Sequence, residues 1–143
     1  MRRFDLLALG ERRRSGEWVL DEPQIVAFAQ QFDPQWFHVD PPAARASEFG
    51  GLIASGVHLL AIARRLDHVM NGDVAFICGV AFEQVRFLAP GRPGDRLRLD
   101  SEIVALRPSG SRDDRGVVTH DYRLGKQDGE AVLSYRSVSL MQR

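Results

Sequence analysis

The stretch Ile53-Ala54-Ser55-Gly56-Val57-His58-Leu59-Leu60-Ala61-Ile62-Ala63-Arg64-Arg65-Leu66-Asp67-His68-Val69 decides the architecture of this chain. Its spacing predicts one long helix over 53–69. The first turns, Val57 to Ala63, are apolar nearly all round, whereas the last carry Arg64, Arg65, Asp67 and His68. A helix that is apolar on every side must be enclosed. The segment is therefore expected to enter the structure as a central rod and to emerge at its C-terminal end, where Asn71-Gly72 supply a stop.

What encloses the rod lies downstream, where the apolar period becomes two. Ala75 to Ala89 is a long mixed apolar segment, followed by the turn Pro90-Gly91-Arg92-Pro93-Gly94-Asp95. Arg96 to Leu106 then alternates, with Leu97, Leu99 and Ile103 on one face, the mark of an antiparallel sheet with one solvated side. Two further strands, Gly116 to Gly125 and Glu130 to Met141, flank Lys126-Gln127-Asp128-Gly129, whose Asp-Gly step signals a hairpin. Upstream, Gly16 to Leu20 reads as a short strand. Asp21 with Gln24 forms a capping box for a helix from Pro23 to Gln31, buried through Ile25, Val26, Phe28 and Ala29. A short helix is expected over Pro42 to Ser47.

One apolar helix and a run of antiparallel strands are satisfied most simply by an α+β fold in which a curved antiparallel β-sheet wraps around the long central α-helix, the hot-dog arrangement. With 143 residues and no repeat or linker, a single domain over 1–143 is expected. One copy leaves a sheet edge bare, so a homodimer or higher homo-oligomer is expected as well.

Composition narrows the partners. Lys+Arg and Asp+Glu both number 19, so the formal charge is zero and no electrostatic footprint for nucleic acid or an anionic membrane exists. The runs Arg12-Arg13-Arg14 and Arg64-Arg65 read as solvated faces or edge-strand protection. Cys78 is the one cysteine, which excludes an intrachain disulfide, and its apolar neighbours place it in the core. No histidine or carboxylate spacing suits zinc, so no metal is expected. The run Leu6 to Leu9 is too short for a signal-peptide core and no spanning segment occurs, so a cytoplasmic protein is expected.

The segment Phe32-Asp33-Pro34-Gln35-Trp36-Phe37-His38-Val39-Asp40-Pro41 puts a carboxylate and an imidazole on an element expected to be irregular, between two helices. Asp33 and His38 together can take a proton from water and return one to carbon, the minimum for adding water across a double bond. From spacing alone the bland alternative stays open: Asp33 as a turn residue, Asp40 as a helix cap, His38 as a half-buried imidazole.

Phe32 to His58, with Val85-Arg86-Phe87-Leu88-Ala89-Pro90 and Arg92-Pro93-Gly94-Asp95, resembles the MaoC-like dehydratases, which include the R-specific enoyl-CoA hydratases. In that family Gly-Asp-x-Asn-Pro-x-His precedes an apolar helix entered through a glycine. The resemblance puts the motif's Asp on Asp33, its His on His38 and the helix-start glycine on Gly56. It implies that Asp33 and His38 are catalytic, and that the Gly56 amide faces a thioester oxygen, as suits the positive end of a helix. Ser55, where the family commonly has His, is expected to bind substrate through its hydroxyl. Phe32 replaces the motif glycine and Gln35-Trp36 replace Asn-Pro, with Trp36 and Phe37 read chiefly as packing. His58 is expected to be structural and neutral.

The activity implied is reversible hydration of a trans-2-enoyl thioester to the R-3-hydroxyacyl thioester. No cofactor is expected beyond the coenzyme A or acyl-carrier pantetheine that forms part of the substrate. Arg86 and Arg92 can meet carrier phosphates, or can be plain strand and turn arginines. A hot-dog acyl-CoA thioesterase and a catalytically silent acyl-thioester-binding subunit are the rival functions.

Overall fold

Helix α4 (Gly56–Met70) organises the chain in the computed structural model, which describes residues 1–143. It starts three residues later than its hydropathy suggests. The Ile53 amide donates to the Phe37 carbonyl of a short helix and the Ala54 amide to the Gly91 carbonyl, so both are tied to neighbouring segments before the helix can begin. Leu59, Ile62, Ala63 and Leu66 form the buried stripe of α4 and share one core with Leu97, Leu99, Leu124, Val132 and Leu133. Each fully buried Leu or Ile contributes about 1.5–3 kcal/mol relative to exposure. Enclosure is incomplete in a single chain, contrary to the all-round apolar pattern. Val57 is 55% exposed and Ala61 is also on the surface.

The strands are β1 (Arg12–Arg14), β2 (Trp18–Val19), β3 (Phe76–Phe87), β4 (Arg96–Pro108), β5 (Arg115–Gly125) and β6 (Ala131–Gln142). They form an antiparallel sheet in the order β1-β4-β5-β6-β3, with β2 also on β4. Curved around α4, this is the expected wrapped sheet. Leu97, Leu99 and Ile103 are all buried, as their alternation requires, and Gly129 takes φ +88° in the β5–β6 hairpin. The triple-arginine run is an edge strand. Arg12, Arg13 and Arg14 pair with Glu102, Asp73 and Asp100, which suits edge protection.

Before the rod come α1 (Glu22–Phe32), capped by the Asp21 carboxylate at the Gln24 amide, and two short helices, α2 (Trp36–Val39) and α3 (Pro41–Arg45). Asp40 caps α3 by accepting from the Ala43 amide. The expected strand at 16–20 contracts to two residues.

β3 is the opposite edge of the sheet, and it departs from expectation twice. Cys78 is exposed on it rather than buried in the core. The strand also carries three β-bulges, between Phe76 and Cys78, Gly79 and Ala81, and Glu83 and Arg86, the last with Gln84 at φ +49°. Phe76, Val80, Phe82 and Phe87 are left exposed along it. Arg64 departs as well. It turns towards the sheet, donating to Asp67 at 3.0 Å and lying over the Phe82 ring, so it is no solvated arginine. No helix is long and apolar enough to cross a membrane.

Candidate active site

Asp33 is the C-cap of α1, its amide donating to the Ala29 carbonyl at 2.9 Å. Pro34 stops the helix there, and the chain re-enters a single helical turn, α2, that carries His38. The carboxylate and imidazole are thus held at two adjacent helix ends rather than on an irregular loop, with five residues of sequence converted into proximity by the break at Pro34. His38 Nε2 lies 3.7 Å from Asp33 Oδ2. That gap is longer than a direct hydrogen bond, and a water can bridge it.

The second nitrogen of His38 fixes the first. Nδ1 is 2.7 Å from the Ile53 carbonyl oxygen, an acceptor only, so neutral His38 carries its proton on Nδ1 and presents a bare Nε2 on the Asp33 side. Ile53 owes this position to the non-helical segment before α4, tied to Phe37 by its own amide. Nothing local in the sequence signals the partnership.

Ser55 stands at the N-cap of α4 but does not cap it. Its hydroxyl instead donates to Asp33 Oδ2 at 2.7 Å, and the residue is 0% exposed. Of the residues expected at the site, Ser55 alone is absent from the cleft lining, and its hydroxyl is engaged with Asp33. Because the cap hydroxyl is turned away, the amides of the first turn of α4 lack their usual side-chain partner, and the positive end of the helix stays available.

Asp33, His38 and Gly56 line one cleft of about 490 Å³. Its remaining walls are apolar, with Phe49, Ile53, Leu59, Phe87 and Leu88 prominent. Gly56 has room for nothing larger: a Cβ there would fall 2.6 Å from Phe87 Cε1. Trp36 and Phe37 pack on each other and against Phe49 of the wall, with Phe37 edge-on to His38. Arg92 donates to the Phe49 carbonyl at 2.7 Å and so braces that wall, while Arg86 is exposed. A groove of similar size, about 500 Å³, lies between Arg13–Trp18 and the last turns of α4. It lacks a carboxylate–imidazole pair, and its Arg13 and Arg14 are already paired with acids.

His58 is buried with its ring flat on Phe28, 4.4 Å between centroids. Burial first, and the nearby His38 second, hold its pKa below the ordinary histidine value. His120, on β5, is likewise held low by burial. His68 is exposed.

A carboxylate and an oriented imidazole facing the open start of a buried helix suit proton transfer at an acyl group. The family model for the MaoC-like domain matches residues 8–124. This chain belongs to the MaoC-like family. The crystal structure of a MaoC-like dehydratase from Rhodospirillum rubrum superposes with a TM-score of 0.92 at 39% identity, covering 100% of this chain and 98% of that one. The 3-hydroxyacyl-thioester dehydratase Z of Mycobacterium tuberculosis is 36% identical over 108 residues, 73% of this chain and 72% of that protein. A conserved hypothetical protein of Mycobacterium tuberculosis with a double hot-dog fold aligns with TM-score 0.84 at 18% identity, over 99% of this chain and 44% of the other, and so shares the fold. The wrapped sheet is accordingly a hot-dog fold.

Proposed function

We propose that this protein is an acyl dehydratase of the R-specific enoyl-CoA hydratase type, interconverting a trans-2-enoyl thioester and the R-3-hydroxyacyl thioester. The observation that carries the proposal is the meeting of Asp33, the bare Nε2 of His38 and the uncapped start of α4 in one apolar cleft. Water held between Asp33 and His38 gives up a proton to the pair, and its oxygen adds at C3. The electron pair of the double bond moves to C2 and the carbonyl, where the α4 amides stabilise the enolate oxygen, and the same pair returns a proton to C2. Proton transfer by a positioned pair contributes typically about 100- to 10,000-fold, and a preorganised oxyanion donor a comparable factor. No step calls for a cofactor. Coenzyme A or acyl-carrier pantetheine enters as part of the substrate.

Incubation with crotonyl-CoA tests the reading. Loss of the conjugated-enoyl absorbance is expected, and formation of the R rather than the S product is checked by chiral chromatography. Release of free thiol would mean a thioesterase, and neither signal would leave an acyl-thioester-binding subunit. The free edge of β3 and its exposed Phe76, Val80 and Phe82 support a homodimer through that edge. Light scattering of the purified chain is expected to give twice the mass of one copy.

A further inference from the structure

The bulge at Gln84 decides which side chain faces the start of α4. Glu83 pairs with Arg136 and Arg86 with Ser134, so two residues of β3, Gln84 and Val85, stand opposite the single residue Tyr135 of β6. Phe82 packs edge-on against the buried Tyr135 and therefore lies on the helix side of the sheet. Without the extra residue, alternation would continue that side through Gln84 and Arg86. The bulge shifts the phase by one, and Val85 and Phe87 face inward instead: Val85 packs on the core and Phe87 on Gly56. Gln84 takes a left-handed backbone to achieve this, a conformation that costs a non-glycine residue on the order of 1 kcal/mol. Strain of that kind persists where the surrounding structure enforces it, and here its product is the position of one ring.

Phe87 lines the same cleft as Asp33, His38 and Gly56, and three of its ring carbons come within 2.8 Å of where a Gly56 Cβ would be. A thioester with its oxygen at the α4 amides and C2 within reach of His38 carries its C1–C2 bond across Gly56, alongside the ring. Hydrogen on C2 fits in that space, and a methyl group meets the ring.

We propose that Phe87, placed by the Gln84 bulge, is a specificity-determining residue that excludes acyl thioesters branched at C2. The assignment rests on the hydratase reading above, and its test separates the two. Crotonyl-CoA and 2-methylcrotonyl-CoA are compared for the wild type, Phe87→Ala and Phe87→Leu, each checked for unchanged folding by circular dichroism and for unchanged mass by light scattering. The intrinsic sluggishness of the branched alkene cancels when the selectivity ratio is compared between variants. Phe87→Ala is expected to narrow the kcat/KM ratio at least about tenfold through a gain on the branched substrate, the discrimination that fit around one methyl group typically supplies. Phe87→Leu should fall between. An unchanged ratio in both variants, with crotonyl-CoA still hydrated, overturns the role of Phe87 and leaves the hydratase intact. Equal losses on both substrates make Phe87 a general wall, which also overturns it. A wild type that hydrates neither thioester removes the hydratase reading itself, and this assignment with it.

Discussion

Ser55→Ala separates a residue that aims a catalytic group from one that touches a ligand or merely ends a helix. Its hydroxyl is 0% exposed and donates to a carboxylate at 2.7 Å, a charge-assisted bond of the class worth about 1.5–3 kcal/mol. The Asp33 side chain is 26% exposed, so water takes over part of that bond in the variant, and a stability loss of about 1 kcal/mol is expected. The further penalty of about 1 kcal/mol for deleting an N-cap does not apply, because the hydroxyl caps nothing. Together these lower Tm by about 3–5 °C for a domain of this size. The catalytic loss comes from freeing the carboxylate. Holding one rotamer-rich side chain costs about 0.5–1.5 kcal/mol, which converts to roughly 2- to 13-fold in kcat. KM should stay within about twofold, since Ser55 does not line the cleft. The assay is crotonyl-CoA hydration followed by absorbance, with thermal melts on the same samples. A raised KM at unchanged kcat would show Ser55 acting on the ligand, and unchanged kinetics would show that Asp33 needs no help; either refutes the reasoning.

Asp33→Asn and His38→Gln should each leave a folded protein with hydration reduced at least about a hundredfold, and full activity in either variant would remove that residue from the chemistry. Gly56→Ala places a methyl group 2.6 Å from Phe87 Cε1, a clash that the ring and the helix start must move apart to relieve; unfolding should lose about 1–3 kcal/mol, as overpacking does, while turnover falls at least about tenfold by obstruction of the amide. His58 and His120 titrate below the ordinary histidine value because they are buried. The unfolded chain therefore takes up protons that the folded one does not, and stability holds above about pH 7 and declines as pH falls below about 6.5. Melts from pH 7.5 to 5 should show that slope, and His58→Leu should flatten it. Gln84→Gly relieves the left-handed strain against the entropy cost of glycine, for a net gain of up to about 1 kcal/mol in denaturant unfolding with the bulge retained; a loss would show that the side chain itself holds the bulge.

Features with local chemistry were legible in the sequence. The Asp21 cap, the Asp128-Gly129 hairpin, the alternation of Leu97, Leu99 and Ile103, and the rod over Leu59 to Leu66 each depend on neighbours a few residues apart. Asp33 and His38 fell together because Pro34 breaks the chain between them, although the helical turn under His38 carries no periodic signal in four residues. What local sequence left open shares a different cause. Ile53 and Ala54 look helical, and the distant carbonyls of Phe37 and Gly91 hold them out of the helix. Cys78 looked buried because strand order was not readable, and β3 proved to be an edge. Ser55 offered a hydroxyl of unknown direction, and the direction is set by Asp33, 22 positions away. The motif at Val85 to Pro90 marked the right segment, yet a bulge with no Gly or Asn to announce it determines which of its side chains reaches the cleft.

Indels are usually tolerated in loops and purged from sheets, yet losing the single codon for Gln84 would heal this edge rather than scramble it. Val85 alone would then stand opposite Tyr135, while Arg86 and Phe87 would keep Ser134 and Leu133 as partners and so keep their sides. The extra residue is an insertion the strand has absorbed within one rung. A lineage could gain or shed it in one mutational event without changing the face its mouth presents to an acyl chain.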